Sequence, residues 1–116
     1  MSKTTRGEER RTRRVATEAA GEVLGRAGGP LQVVDLSSGG CLVSTEKHLA
    51  PGAVLDVRFG LADGELTAKA QVVESSIDGS SLEAETSRYL SGLRFLDLKP
   101  PDEQRLLRYL ADSGAR

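Results

Sequence analysis

Leu31-Gln32-Val33-Val34-Asp35-Leu36-Ser37-Ser38-Gly39-Gly40-Cys41-Leu42-Val43 is the stretch from which the fold is read. A short, β-branched apolar run from Leu31 to Leu36 gives way to four turn residues, Ser37 to Gly40, and then to a second apolar run, Cys41 to Val43. Such runs around a glycine turn predict two strands folded back on each other. Downstream, Pro51-Gly52 predicts a turn, and Leu55, Val57, Phe59 and Leu61 alternate with Asp56, Arg58 and Gly60. That is the period of a half-buried strand. Asp63-Gly64 is a hairpin dipeptide, and Leu66, Ala68, Ala70 and Val72 alternate with Thr67, Lys69 and Gln71 in a further strand. Asp78-Gly79 marks another turn, after which Leu82 to Glu85 with Leu93 to Phe95 predicts a last, interrupted strand.

Upstream, Val15 to Leu24 predicts a strand ending in the Gly25, Gly28, Gly29, Pro30 loop, although its alanines also suit a helix. At the other end the period changes. Pro100 and Pro101 suit a first helical turn, Asp102 and Glu103 suit the positive end of its dipole, and Gly114 suits a stop. Leu106, Leu107 and Leu110 are expected on one face, with Arg105, Arg108 and Asp112 toward water. Short strands at regular spacing followed by one amphipathic helix predict a mainly β protein, a small antiparallel barrel or sandwich with the helix packed on one opening.

The chain has 116 residues, enough for one domain, and aromatics are only 3% of it with no Trp, so Val, Leu and Ala must fill the core. One cysteine, Cys41, excludes an internal disulfide, and with one histidine, His48, it leaves a Cys/His zinc site unsupported. No apolar leader or 18-residue apolar run occurs, which predicts a cytoplasmic protein without a membrane span. Charge is unevenly placed. Residues 1–14 carry Lys3, Arg6, Arg10, Arg11, Arg13 and Arg14 against Glu8 and Glu9, while the remainder has 10 basic and 15 acidic residues. A basic arm, 1–15, on an acidic body calls for an anionic partner, with nucleotide, nucleic acid, acidic membrane surface and plain solvation all open.

Two short motifs carry the chemistry. Arg10 and Arg14 form an Arg-x-x-x-Arg pair whose planar guanidinium forks suit phosphate and the O6 and N7 edge of guanine. Alone, it reads more readily as a solvated basic tail. Asp35-Leu36-Ser37-Ser38-Gly39-Gly40 is an Asp-x-Ser-x-x-Gly pattern: a carboxylate accepts from N1 and N2 of guanine, a hydroxyl bonds phosphate or ribose, and glycine admits close backbone approach. Alone, it reads as an Asp/Ser/Gly turn with local bonds. Cys41 reads as a packing residue and His48 as a surface one, and nothing supplies an oxyanion hole to a Ser37, His48, Asp35 triad, so no enzyme activity is expected. Glu83 and Glu85 read as solvent-facing.

In combination, the arm, the Asp-x-Ser-x-x-Gly-Gly turn between strands, Pro51-Gly52, the Gly92-Leu93-Arg94-Phe95 ending and the C-terminal helix resemble the PilZ domain family over residues 9–111. The resemblance implies a six-stranded antiparallel β-barrel over 16–98, a packed helix over 99–116, and a receptor for the bacterial second messenger cyclic di-GMP in motility or biofilm signalling. It implies that Arg10 and Arg14 grip phosphates and guanine edges, Asp35 accepts from a guanine, Ser37 contacts phosphate or guanine, and Gly40 keeps the turn open. Gly39, Arg11 and Arg13 are auxiliary, the arginines as long-range attraction. Relatives that capture a ligand dimer often carry Arg just before the arginine pair, where Glu9 stands here, which favours one ligand per protomer. Output is expected to pass through an effector protein as the arm orders on the ligand. The alternatives are a PilZ-like interaction module of motility or surface machinery that binds no nucleotide, and a small β-barrel that binds nucleic acid. The second is weakened by having only Phe59, Tyr89, Phe95 and Tyr109 for base stacking.

Overall fold

The structure is a computed structural model that describes residues 14–17, 19–26, 28–78 and 88–113. Among the described residues seven strands precede one helix: β1 (Val15–Ala16), β2 (Ala20–Val23), β3 (Gly29–Leu36), β4 (Gly40–Thr45), β5 (Val54–Leu61), β6 (Gly64–Ile77), β7 (Tyr89–Phe95) and α1 (Pro100–Ser113). The sheet runs β1-β3-β2-β5-β6-β7-β4 with every pairing antiparallel, and β4 also pairs with β3, closing the barrel. β1 and β2 lie along one edge of β3, Val15 opposite Leu36 and Ala20 opposite Gln32. Bonds from Thr17 N to Val34 O (2.9 Å) and from Val33 N to Ala19 O (2.8 Å) bridge the gap between them. The closed barrel therefore has six strands, with β1 as an added piece of wall.

The alternation of β5 and β6 survives folding because one face of each strand meets the core: Val57, Phe59, Leu61, Leu66, Ala68, Ala70 and Val72 are all buried. Their β5–β6 turn is Ala62-Asp63, one residue earlier than the expected dipeptide, with Leu61 paired to Gly64 and Gly64 at φ 133°. Phe59 and Phe95 stack at 6.3 Å, and small aliphatics fill the rest of the core.

β6 is twice the expected length, and a bulge explains why. Val72 pairs with Leu93 and Glu74 with Gly92, so Val73 opposes nothing, and both Val73 and Glu74 are exposed. Beyond the bulge the inward position goes to Ser75, whose hydroxyl meets that of buried Ser91 at 2.8 Å. A paired hydroxyl replaces an apolar side chain there, and the sequence period fades. β7 is continuous from Tyr89, and Asp78 N bonds Arg88 O at 2.8 Å. The expected strand piece Leu82 to Glu85, including Glu83 and Glu85, lies outside the described residues.

Helix α1 begins as expected, with Glu103 N bonded to Lys99 O at 2.8 Å. Leu106 and Leu110 enter the barrel core, each side chain contributing roughly 1.5–3 kcal/mol by burial, and Tyr109 is half-buried beside them. Two expectations need correcting. Leu107 is 48% exposed, because one residue advances the helix by a rotation that carries it off the Leu106–Leu110 line. Arg105 is not a water-facing residue: it pairs with Asp63 of the β5–β6 turn at 3.1 Å and with Asp102 at 3.4 Å, pinning the helix to the barrel. Thr17 and Tyr109 share a hydroxyl bond of 3.1 Å on the same end.

A candidate ligand-binding cleft beside Arg14

Antiparallel pairing brings the start of β1, the β3–β4 turn and the end of β7 to one end of the barrel. The β3–β4 turn is closed from within. Ser37 N bonds Gly40 O at 2.9 Å, the Ser37 hydroxyl donates to the same oxygen at 3.2 Å, and Gly39 N donates to that hydroxyl at 3.3 Å. Ser37 is accordingly 4% exposed, a serine turned onto its own turn in the manner of an ST turn. Gly39 O accepts from Phe95 N at 2.9 Å, seating the turn against β7. Gly40 pairs with Arg94, and a Cβ on it would collide with the Leu93 carbonyl oxygen. Here glycine is required for strand approach.

Arg14 reaches over this turn. Its Nη1 bonds Asp35 Oδ1, joining the residue before β1 to its neighbour strand β3. The Arg14 side chain is 56% exposed and that of Asp35 25%, so the carboxylate lies beneath the guanidinium. In front of Arg14 lies an open cleft of about 290 Å³ lined by Arg14, Ser37, Gly39, Gly40, Val73, Glu74, Gly92, Leu93 and Arg94. Arg94 is held by Gln71, whose Oε1 accepts from Nη2 at 2.5 Å. The Pro51-Gly52 turn supports the far rim. Gly52 has φ 90°, Ala53 N bonds Ala50 O at 3.0 Å, and Gly52 N and Ala53 O both bond Val72, next to the bulge.

The structure thus brings together Arg14, Asp35, Ser37, Gly39 and Gly40, with Asp35 beside the cleft and not in its wall. Arg10, Arg11 and Arg13 lie outside the described residues. Sequence reasoning missed Val73 and Glu74, which become visible only once the bulge is known, and read Gly92 and Arg94 as a strand ending without assigning them to a site. A second recess, lined by Val23, Gly28, Gly29, Pro30, Thr45, Glu46, Lys47 and Leu49, lies at the other end of the β3–β4 hairpin. At about 30 Å³ it has room for little more than one water.

Among the described residues of the cleft no side chain is paired with a general base. His48 lies past the far end of β4, edge-on to Tyr89 at 5.5 Å, whereas Ser37 precedes β4, so Ser37, His48 and Asp35 do not assemble as a triad. The Cys41 thiol is 1% exposed and its pKa is pushed up to about 12, chiefly by burial and then by Asp35, with Arg14 opposing. At neutral pH it is an inert thiol. A planar cation beside glycine backbone at the mouth of a cleft is chemistry suited to an anion of moderate size.

The PilZ domain family matches residues 8–112 of the sequence. Among solved structures, the chain is similar to the PilZ domain of Escherichia coli YcgR, described with c-di-GMP, at 22% identity and a TM-score of 0.71, covering 92% of each chain. It is similar to K. pneumonia MrkH in a c-di-GMP complex at 25% identity and a TM-score of 0.72, covering 90% of this chain and 52% of that one. The Bacillus subtilis inhibitor of motility MotI/DgrA gives 18% identity and a TM-score of 0.76, covering 92% of this chain and 52% of that one. The chain therefore spans about half the length of MrkH and of MotI. A search of curated proteins found no match. The match over nearly the whole sequence, on a closed barrel with its turn and helix in the expected order, shows that the chain belongs to the PilZ domain family.

Proposed function

We propose that the chain is a receptor for cyclic di-GMP that works as a signalling adaptor and not as an enzyme. The observation that carries this is Arg14, held by Asp35 at the mouth of the cleft, in a family where the YcgR and MrkH structures are described with that ligand. Arg14 supplies a paired, charge-assisted grip for a phosphate or a guanine edge, and Asp35 serves by fixing it. The Ser37–Gly40 turn offers a tight backbone surface for close approach, and Val73, 60% exposed, gives apolar ground for a base where the chain has no Trp.

At about 290 Å³ the cleft falls just short of the range of small-molecule sites, roughly 300–1,000 Å³. In this reading Arg10 supplies the missing wall by closing over one ligand molecule per protomer, with Arg11 and Arg13 adding salt-sensitive attraction. Arg14 already sits at its place beside β3, so the ligand recruits the arm to a prepared anchor. The altered surface is then read by a protein effector of motility or surface attachment, in the cytoplasm. Calorimetric titration with cyclic di-GMP, with GTP as control, tests the reading: saturable binding that Arg14→Ala abolishes is expected. Absence of heat, together with unshifted thermal unfolding at saturating ligand, would replace it with a nucleotide-independent interaction module.

A further inference from the structure

The cleft that Arg14 guards also holds a carboxylate that the receptor reading leaves without a task. Between the pairs Val72–Leu93 and Glu74–Gly92 the β6 bulge leaves Val73 unopposed and puts two successive side chains on the outer face at the cleft. Bulges re-aim side chains in this way beside functional sites. Glu74 lies over β7 where that strand carries no side chain: a Cβ on Gly92 would stand 3.6 Å from Glu74 Cγ and 4.0 Å from Oε2. Among the described residues it forms no ion pair, whereas Asp35 is taken by Arg14, and Arg94, the other cation of the cleft, donates to the Gln71 side-chain oxygen Oε1. An acceptor with free lone pairs therefore stands on the floor of a cleft otherwise suited to anions.

Resting on the receptor reading, we propose that Glu74 is a base-reading residue of the cleft, accepting the N1–H and N2–H donors of one guanine of the bound cyclic dinucleotide. A carboxylate is acceptor-only when ionised, so it repels the phosphates and can meet only donors. Guanine offers two adjacent donors on its Watson–Crick edge, matched to two carboxylate oxygens. Adenine places the N1 lone pair there, so the same carboxylate attracts one base and rejects the other. Asp35, bonded to Arg14 and 25% exposed, stands beside the cleft. Glu74 is thus a second carboxylate acceptor, beside the one that the resemblance implies at Asp35.

The test is calorimetric titration of the full chain and its Glu74→Ala and Glu74→Gln variants with cyclic di-GMP, cyclic di-IMP, which lacks the 2-amino group, and cyclic di-AMP. The wild type is expected to bind them in that descending order. Glu74→Ala weakens cyclic di-GMP binding by about tenfold to hundredfold and flattens the order, with Glu74→Gln between the two. Glu74 is exposed, so both variants keep the core, which unchanged thermal unfolding verifies. If the wild type binds cyclic di-GMP and Glu74→Ala binds it equally or more tightly, Glu74 reads no base and only the base-reading role falls. Equal binding of cyclic di-AMP by the wild type has the same meaning, since contact with a ribose hydroxyl makes no base distinction. If the wild type binds no cyclic dinucleotide, the receptor reading falls and this inference with it.

Discussion

The Arg14 guanidinium bonds the Asp35 carboxylate, a residue 21 positions away in sequence and one strand away in space. The pair is made by the β1–β3 register, in which Ala16 stands opposite Asp35 and the chain just before it passes over the carboxylate. Being partly exposed, it adds little to stability, about 0–1 kcal/mol, so its value lies in where it holds the cation.

Asp35→Ala therefore separates binding from folding. The variant is expected to unfold within about 1 kcal/mol of wild type while its affinity for cyclic di-GMP drops roughly tenfold to hundredfold. Calorimetry and urea denaturation of the same preparation check both parts, and equal ligand affinity would remove Asp35 from the site.

Neighbouring glycines of the β3–β4 turn should behave oppositely. Gly40→Ala forces a methyl group against the Leu93 carbonyl and is expected to cost about 1–3 kcal/mol in urea unfolding. Gly39 has nothing within 4 Å of a built Cβ, so Gly39→Ala is expected within about 0.5 kcal/mol of wild type.

On α1, adjacent leucines give the same kind of contrast. Leu106 is fully buried and its replacement by Ala should cost about 2–5 kcal/mol, whereas Leu107→Ala should change stability by no more than about 0.5 kcal/mol. Equal losses measured by thermal unfolding would mean that the helix packs on a different face.

The Asp63–Arg105 tie predicts an acid signature. The Arg105 guanidinium bonding Asp63 holds its carboxyl below the usual carboxylate value of 3.8. A carboxyl lowered on folding stabilises the protein above that ordinary value and loses the contribution as pH falls through the lower folded one. Wild type should thus melt above Asp63→Asn at neutral pH, and the gap should close as the pH is taken below 3.8.

β5, the first part of β6 and α1 were readable from their hydrophobic period because one face of each meets the core, and β3 and β4 as short apolar runs around a glycine turn. What escaped reading was non-local. The bulge at Val73 and the Ser75–Ser91 hydroxyl pair depend on which strand lies opposite, and Gly92 acquires meaning only from Glu74 across the ladder. Likewise, Asp35 and Arg14 were legible as chemistry suited to a nucleotide, while their bond to each other follows from the β1–β3 register, which no local period encodes.

The central claim, that the cleft beside Arg14 receives cyclic di-GMP, is tested most directly by following backbone amide resonances of the isotope-labelled protein during titration with that ligand. The account predicts saturable shifts concentrated at Ser37–Gly40, Val73–Glu74 and Gly92–Arg94, with Val23, Thr45 and Leu49 at the other end of the hairpin unmoved. Shifts centred on that other end, or none at saturating ligand, would contradict it.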